Sequence, residues 1–300
     1  MKYPILHLDL NIEKYDTPDS LDNILDKSLT AWEKLYGAEP SERSFSLRFA
    51  GIIERACKQA GQRVVILVDE YDKPMLQAIG NEELQRQFRN ALKPFYGALK
   101  TMDGCIKFAF LTGVTKFGKV SVFSDLNNLD DISMRKDYVE LCGVSDRELH
   151  DTLDAELHEF ADVRGVTYDK LCAELKECYD GYHFTHNSIG MYNPFSLLNA
   201  FKYKEFGSYW FETGTPTYLV SLLKKHHYDL ERMAHEETDA QVLNSIDSES
   251  TNPIPVIYQS GYLTIKGYDE EFGIYRLGFP NREVEEGFVR FYASLLCECQ

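Results

Sequence analysis

The sequence predicts an α/β fold built on a partial parallel sheet flanked by helices. Residues 64–68 are five consecutive apolar side chains, four of them β-branched, which is typical of a strand buried on both faces. Apolar, strand-like segments at 3–10 and 106–112 are separated from it along the chain by helical patterns. From about Cys142 onward, helical periodicity prevails until a hairpin pattern begins at Tyr262.

Composition excludes several classes of protein. The chain has 300 residues, of which 13% are aromatic, so we exclude a mainly disordered protein and expect about two domains. Its net charge of −16, from 48 acidic and 32 basic residues, disfavours general binding of DNA or RNA. No apolar run reaches the ~18 residues of a membrane span. The seven cysteines lie mostly inside apolar patterns, so we expect reduced thiols and a cytoplasmic protein.

The helices of the first half have clear boundaries. A helix is predicted to begin at Pro18, after Thr17 as its N-cap, and to end at Gly37. Apolar residues recur every three to four positions within it, so one face is directed to the core. The same periodicity predicts helices at 44–60 and 84–99.

The second half is predicted to be mainly helical. Ser145 and Glu148 form a capping-box pattern at the start of a helix. We predict no strand between about Cys142 and Tyr262. Further elements are predicted as helices at 168–178, 192–198 and 284–296, and a hairpin of strands at 262–268 and 273–279. The predicted domains are a core at 1–142, a helical lid at 143–235 and a winged-helix-like unit at 236–300.

Two acids follow the most apolar strand directly. Asp69 and Glu70 come after residues 64–68, and ligands of open α/β sheets gather at the carboxyl ends of strands. An aspartate there can hold Mg²⁺, directly or through water, and a following glutamate can polarise an attacking water. Thr112 ends the next strand and is placed to contact a phosphate or that water. The alternative is a strand that ends in a solvated acidic turn.

Residues 113–119 match the spacing of a phosphate-binding loop, G-x-x-x-x-G-K. The match is imperfect because Val120 stands where Ser or Thr is required, and the sequence that follows is not helical. The loop also comes after the Asp-Glu strand, whereas such a loop normally precedes it. We therefore interpret the match as fortuitous, although Lys116 and Lys119 are expected near a nucleotide because they follow Thr112 at the sheet edge.

Five stretches, in order along nearly the whole chain, resemble the bacterial AAA-ATPase-like family of P-loop proteins, whose members often carry a PD-(D/E)XK nuclease-like domain. They are residues 65–74, 110–117, 179–184, 192–196 and 258–263. The resemblance implies that Asp69 is the metal-associated acid of the Walker B motif, Glu70 the catalytic glutamate and Thr112 the sensor residue. It also implies ATP and Mg²⁺ as ligands, ATP hydrolysis in the intact protein, and a protein partner for the lid and the winged unit.

The family places its Walker A loop upstream of the segment that matches residues 3–10. We therefore expect a partial gene product without that loop, in which ATP binding is weak or absent; a naturally compact domain with sheet-docked ends is the alternative. Two other functions stay open. One is a non-catalytic protein-interaction module that keeps the ATPase fold, and the other is a permuted NTPase that uses residues 113–119.

Overall fold

The computed structural model describes residues 2–116, 122–123, 126–213, 236–243 and 252–297, with side chains up to residue 291. These residues form two compact units, one up to Asp130 and the other from Asp131 onward. The division into three domains at residues 142 and 235 stays a prediction.

The first unit contains a three-stranded parallel sheet in the order β1-β2-β3, which confirms the predicted α/β class. Its elements are β1 (Ile5–Asp9), α1 (Pro18–Tyr36), α2 (Phe45–Ala60), β2 (Val64–Asp69), α3 (Lys73–Gln77), α4 (Glu82–Thr101) and β3 (Ile106–Leu111). A 3₁₀ turn at Asp103–Cys105 leads into β3.

The helices of this unit pack on one face of the sheet. The register sets Leu6 beside Ile66 and Leu8 beside Val68, and all four side chains are buried. Helix α2 contacts β2, and α1 and α4 pack against α2. Alternate side chains of the strands are buried on this face, so the helices pack against β2 and support the segment whose carboxyl end carries Asp69.

Local sequence signals explain the helix boundaries. Helix α2 begins after Ser44, whose hydroxyl accepts a hydrogen bond from the Leu47 amide at 3.3 Å, and ends at Gly61 in the left-handed conformation. Helix α1 begins at Pro18 as predicted. The capping hydrogen bond expected from Thr17 is not made; instead the Ser20 hydroxyl donates to the Thr17 carbonyl at 2.6 Å.

The second unit combines helices with two small antiparallel sheets. Its elements are β4 (Val144–Ser145), α5 (Asp146–Arg164), α6 (Tyr168–Tyr179), β5 (Met191–Tyr192), α7 (Pro194–Tyr203), β6 (Glu237–Asp239), α8 (Ala240–Leu243), α9 (Ile254–Gln259), β7 (Thr264–Asp269), β8 (Ile274–Gly278) and α10 (Arg282–Cys297). The predicted capping box is formed, since the Ser145 hydroxyl accepts from the Glu148 amide and the Glu148 carboxylate from the Ser145 amide.

The prediction of no strand before Tyr262 is wrong. Strands β4 and β5 pair with each other, and β6 pairs with β8, which makes the predicted hairpin of β7 and β8 part of a three-stranded sheet. The missed strands are two or three residues long, too short for an alternating pattern to show. The winged-helix and lid assignments stay predictions.

Two hydrophobic clusters fill the second unit. The helical cluster comprises α5, α6 and α7 side chains such as Leu157, Phe160 and Leu175. The sheet cluster lies around β7, β8 and α10 and includes Ile265, Leu277 and Phe288.

A tightly packed turn follows α6. Gly181 has a φ of 104°, and a Cβ atom built on it would lie 2.2 Å from the carbonyl oxygen of Pro280. The amide of His183 donates to the Thr264 hydroxyl at 2.7 Å, and Tyr182 packs against the sheet cluster. Residues 179–184, one of the five stretches that resemble the AAA-ATPase-like family, therefore join the helical part of this unit to its antiparallel sheet.

The first turn of α10 carries a buried carboxylate. One oxygen of Glu283 accepts hydrogen bonds from the Ser196 hydroxyl at 2.9 Å and the Trp210 amide at 2.8 Å. Burial raises the pKa of Glu283 above its ordinary value, and these hydrogen bonds oppose the rise without cancelling it. The carboxyl group links α7, the 3₁₀ turn at Phe211–Thr213 and α10.

We expect Glu283→Gln to change how stability depends on pH. A raised pKa in the folded state means that the wild type is most stable below the unfolded pKa of Glu and loses stability as pH rises through the folded pKa. The free-energy difference between variant and wild type should therefore move in favour of the variant, by about 1.4 kcal/mol per pH unit between those two pKa values. Urea unfolding from pH 4 to 8 measures it. A difference that is constant with pH contradicts the prediction.

Candidate functional site

Carboxylates gather at the carboxyl edge of the parallel sheet. Asp9 ends β1 and Asp69 ends β2, and the register makes them neighbours across the two strands. The backbone carbonyl of Asp69 accepts a hydrogen bond from the amide of Leu10 at 3.1 Å, which fixes the end of β1 against β2. Glu70 follows directly, so three acids lie on adjacent strand ends, at the edge where parallel sheets bind ligands.

Thr112 is brought to Asp69. Its hydroxyl donates to the Asp69 carboxylate at 2.6 Å, and its backbone amide donates to the carbonyl of Val68 at 2.9 Å. The ends of β2 and β3 are thereby held together by main-chain and side-chain bonds. The structure thus brings these two side chains together, and the chemical roles expected for them stay predictions.

Glu70 has an unusual backbone and a perturbed carboxyl group. Its φ is 55°, in the left-handed region that side-chain-bearing residues rarely adopt, at a cost of ~1–2 kcal/mol. Burial raises the pKa of Glu70 above its ordinary value, and the nearby charges of Asp72 and Asp69 raise it further, while Lys73 lowers it. Strain and a raised carboxyl pKa on one residue are features that cluster at functional sites.

Asp72 is buried and holds the loop that follows β3. Its carboxylate accepts hydrogen bonds from the amide of Val114 at 3.2 Å and from the amide and hydroxyl of Thr115 at 2.5 and 2.6 Å. The Tyr71 hydroxyl donates to the carbonyl of Thr115 at 2.7 Å. Burial raises the pKa of Asp72, and these hydrogen bonds oppose the rise. The turn after β2 and the loop after β3 are therefore held together by these hydrogen bonds.

This arrangement bears on the phosphate-loop match at 113–119. In a phosphate-binding loop the backbone amides point at the phosphates. Here the amides of Val114 and Thr115 donate to Asp72, so they are already engaged by a protein carboxylate. Lys116, within the matched stretch, is half-buried. Lys119 lies outside the described residues, so its predicted position near a nucleotide stays a prediction.

We expect Gly113→Ala to destabilise the first unit by about 1–3 kcal/mol, the usual range for overpacking. A Cβ on Gly113 would lie 2.3 Å from a carboxylate oxygen of Asp72 and 3.0 Å from the Tyr71 ring. The matched control is Gly97→Ala inside α4, where nothing lies within 4 Å and alanine should stabilise the helix by ~0.5–1 kcal/mol. Thermal unfolding of both variants tests the pair, and equal effects would contradict the packing argument.

Sequence reasoning missed two features of this edge. Asp72 is only 1% exposed, although an acid in an Asp-Glu-Tyr-Asp run is expected in solvent. Lys73 donates from its ammonium group to the backbone carbonyl and side-chain oxygen of Asn11, at 2.7 and 2.5 Å, and so ties the loop after β1 to α3. Among the residues that the structure describes, no three His, Cys, Asp or Glu side chains form a metal-binding cluster.

The fold and the site together define a parallel α/β protein that presents carboxylates and a hydroxyl at the carboxyl edge of its sheet. Residues 1–123 match the model of the AAA-ATPase-like family, which is described as a predicted AAA-ATPase. This match supports, over residues 1–123, the family resemblance seen in the sequence.

A relative extends the similarity beyond this region. The chain is 36% identical over 287 residues to an uncharacterized protein in the vnfD 5′ region of Azotobacter chroococcum mcd 1. The alignment covers 95% of this chain and 53% of the relative, so the chain spans about half the length of the curated protein it matches. No solved structure matches the chain. None of the described helices combines the length and the apolar character needed to cross a membrane.

Proposed function

We propose that this chain supplies the acidic half of a MgATP-hydrolysing site in a longer cytoplasmic protein. The observation that carries the proposal is the 2.6 Å hydrogen bond from Thr112 to Asp69. It joins, on adjacent strands of a parallel sheet, the two residues to which we assign the sensor and Walker B roles. The match of residues 1–123 to the model of the AAA-ATPase-like family supports it.

The proposed roles follow from the chemistry of each group. Asp69 offers hard carboxylate oxygens, which suit Mg²⁺, a cation that usually takes one or two protein carboxylates and completes its shell with phosphates and water. Glu70 orients the attacking water, and its raised pKa favours accepting a proton. Thr112 contacts the γ-phosphate or that water. Lys116 and Lys119 lie near the nucleotide and contribute positive charge.

The phosphate-binding Walker A loop, in this proposal, lies on polypeptide outside these 300 residues. The engagement of the Val114 and Thr115 amides by Asp72 supports this assignment over a permuted NTPase. Alone, the chain should bind MgATP weakly or not at all, because phosphate positioning and charge neutralisation need that loop.

The test compares variants in a form of the protein extended through its natural flanking sequence. Asp69→Ala should lower Mg²⁺-dependent ATP turnover at least ~100-fold, and Glu70→Gln should lower turnover while ATP is still bound. Asp16→Ala, an exposed carboxylate paired with Lys14, is the control and should retain turnover. Full turnover in Asp69→Ala would refute the proposal.

Calorimetric titration with MgATP of the 300-residue chain and of its Lys119→Ala variant tests whether residues 113–119 form the phosphate loop instead. We expect no heat from either protein. Micromolar binding that disappears in Lys119→Ala would assign the phosphate site to residues 113–119 instead.

A protein-interaction module is the second candidate function. Helix α7 exposes Phe195 and Leu198, which lie three residues apart and therefore on one face. An apolar pair of this kind favours contact with a protein partner through the second unit. In the extended protein, such binding should persist in Asp69→Ala and weaken in a Phe195→Ser, Leu198→Ser double variant.

A further inference from the structure

We propose that Cys57 and Cys105 are a modification site, at which exchange with a small-molecule disulfide such as glutathione disulfide forms a reversible link between the end of α2 and the start of β3. The free thiols in the structure are the reduced state of this site. Both cysteines lie within the first unit. The inference does not depend on ATP binding, because neither thiol belongs to the acidic edge of the sheet.

The fold brings the two thiols together from distant parts of the sequence. Cys57 lies in the last turn of α2, and Cys105 ends the 3₁₀ turn that leads into β3. Helix α2 contacts this turn, and the amide of Cys105 donates to the carbonyl of Met102 at 2.8 Å, which holds the turn in shape. The two side chains are hydrogen-bonded to each other. Thiols already in contact need only a small movement to reach the ~2 Å of a disulfide bond.

The surroundings of the pair give access and a nearby positive charge. Both cysteines are half-buried, so each residue keeps contact with solvent. The ammonium group of Lys58 acts on both thiols and favours a thiolate, whereas the Glu54 carboxylate disfavours it. Burial raises the pKa of Cys105, and the hydrogen bond with Cys57 raises it further. Exchange should therefore become faster as the pH rises, because the thiolate is the attacking form.

Cys178, in the second unit, has a contrasting environment. It is 4% exposed, its sulfur accepts a hydrogen bond from the Arg282 guanidinium at 2.7 Å, and burial raises its pKa to about 11. Buried thiols of this kind are structural and inert. The pair in the first unit differs because its thiols are more accessible and because each has a second thiol as its neighbour.

The proposed exchange has two steps. The thiolate of one cysteine attacks a sulfur of glutathione disulfide, so that a mixed disulfide forms while the glutathione S–S bond breaks and one glutathione thiolate leaves with the electron pair. The thiolate of the other cysteine then attacks the protein sulfur of the mixed disulfide and releases the second glutathione. Two protein thiols are oxidised, glutathione disulfide is reduced to two thiols, and the two protons pass to the leaving thiolates.

The link would act on the start of β3. At this end the pairing of β3 with β2 is irregular, since Val64 pairs with Ile106 and the next residue, Val65, with Phe108. The disulfide would close a ring that contains β2, α3 and α4, and so restrict the unfolded chain. Oxidation should therefore stabilise the first unit. Intracellular disulfides are usually transient and respond to the redox state, which fits a link that glutathione can make and remove.

The first test asks whether the link forms in the folded chain. The 300-residue protein is incubated with glutathione disulfide, quenched in acid, digested with pepsin and analysed by mass spectrometry. We expect a linked pair of peptides that carry Cys57 and Cys105, and glutathione attached to the exposed Cys142. Dithiothreitol should remove both products. If Cys142 carries glutathione while Cys57 and Cys105 stay unlinked, or if the link joins two molecules on a non-reducing gel, the proposal is wrong.

Serine variants give the matched controls. Cys57→Ser should abolish the link and leave Cys105 either free or bound to glutathione. Cys172→Ser, which removes a half-buried thiol from α6, should leave the linked peptide pair unchanged. A Cys105 that becomes linked to another cysteine of the chain in untreated-variant amounts in Cys57→Ser would contradict the assignment of Cys57 as its partner.

The second test measures what the link does. Thermal unfolding of the first unit is followed by Trp32 fluorescence in a Trp210→Phe background, before and after treatment with glutathione disulfide. We expect the midpoint to rise by at least ~5 °C on oxidation and to return with dithiothreitol. A variant that also carries Cys57→Ser and Cys105→Ser should not respond to the treatment. A linked protein with an equal or lower midpoint would show that the link does not stabilise the unit, and would overturn the proposal.

Discussion

Replacement of Asp72 by alanine is expected to lower the free energy of unfolding of the first unit by about 3–5 kcal/mol. The Asp72 carboxylate accepts from two amides and one hydroxyl, and all three donors would be left without this partner inside the protein. Asp72→Asn should lose less, because its amide oxygen can still accept from part of this set. The loop after β3 is held by these hydrogen bonds. Loss of the Asp72 carboxylate should therefore also loosen the contact between Thr112 and Asp69.

Trp32 gives a specific measurement of this effect. The chain has two tryptophans, Trp32 in the first unit and Trp210 in the second, so a Trp210→Phe background lets fluorescence follow the first unit alone during urea unfolding. The control is Asp16→Ala, which removes an exposed ion pair worth no more than ~1 kcal/mol. A loss in Asp72→Ala as small as in this control would show that the buried carboxylate does not hold the loop.

Gly181→Ala is expected to destabilise the second unit by about 3–5 kcal/mol. The added methyl group would meet the Pro280 carbonyl oxygen at 2.2 Å, and a φ of 104° is itself strained for alanine. Neither the contact nor the backbone strain can be relieved by rotating a side chain, because both involve only backbone atoms and the added methyl group. The turn after α6 and the segment before α10 would have to separate.

Gly165→Ala separates strain from packing. Gly165 ends α5 with a φ of 65° and nothing lies within 4 Å of its added Cβ, so alanine there should cost only the ~1–2 kcal/mol of left-handed backbone. In a Trp32→Phe background, Trp210 fluorescence during urea unfolding follows both variants. Similar losses of unfolding free energy in Gly181→Ala and Gly165→Ala would mean that the contact with Pro280 adds nothing to the destabilisation.

The elements that the sequence predicted well have strong local signals. The starts of α1 and α2 follow from Pro18 and from Ser44, and β2 follows from its uninterrupted apolar run. The position of Thr112 beside Asp69 could also be predicted, because neighbouring parallel strands end at the same edge. These features depend on periodicity, capping and topology, which a single sequence records.

Burial of charged groups could not be predicted in the same way. Asp72 and Glu283 both stand in acidic runs that suggest solvent, yet both are buried because donors from distant segments meet them. The partners of Asp72 lie more than 40 residues away and those of Glu283 more than 70, so no local pattern marks either residue. Strand β6 was missed because Glu237–Asp239 is short and polar.

The left-handed backbone of Glu70 has an evolutionary consequence. Glycine would adopt this conformation without strain, so drift in a lineage relieved of the need for a carboxyl group should move the position toward glycine. A glutamate kept there resists that drift only while its chemistry is under selection. Under the proposed function, position 70 would therefore mark, among relatives of this chain, which lineages still use the acid and which have lost its chemistry.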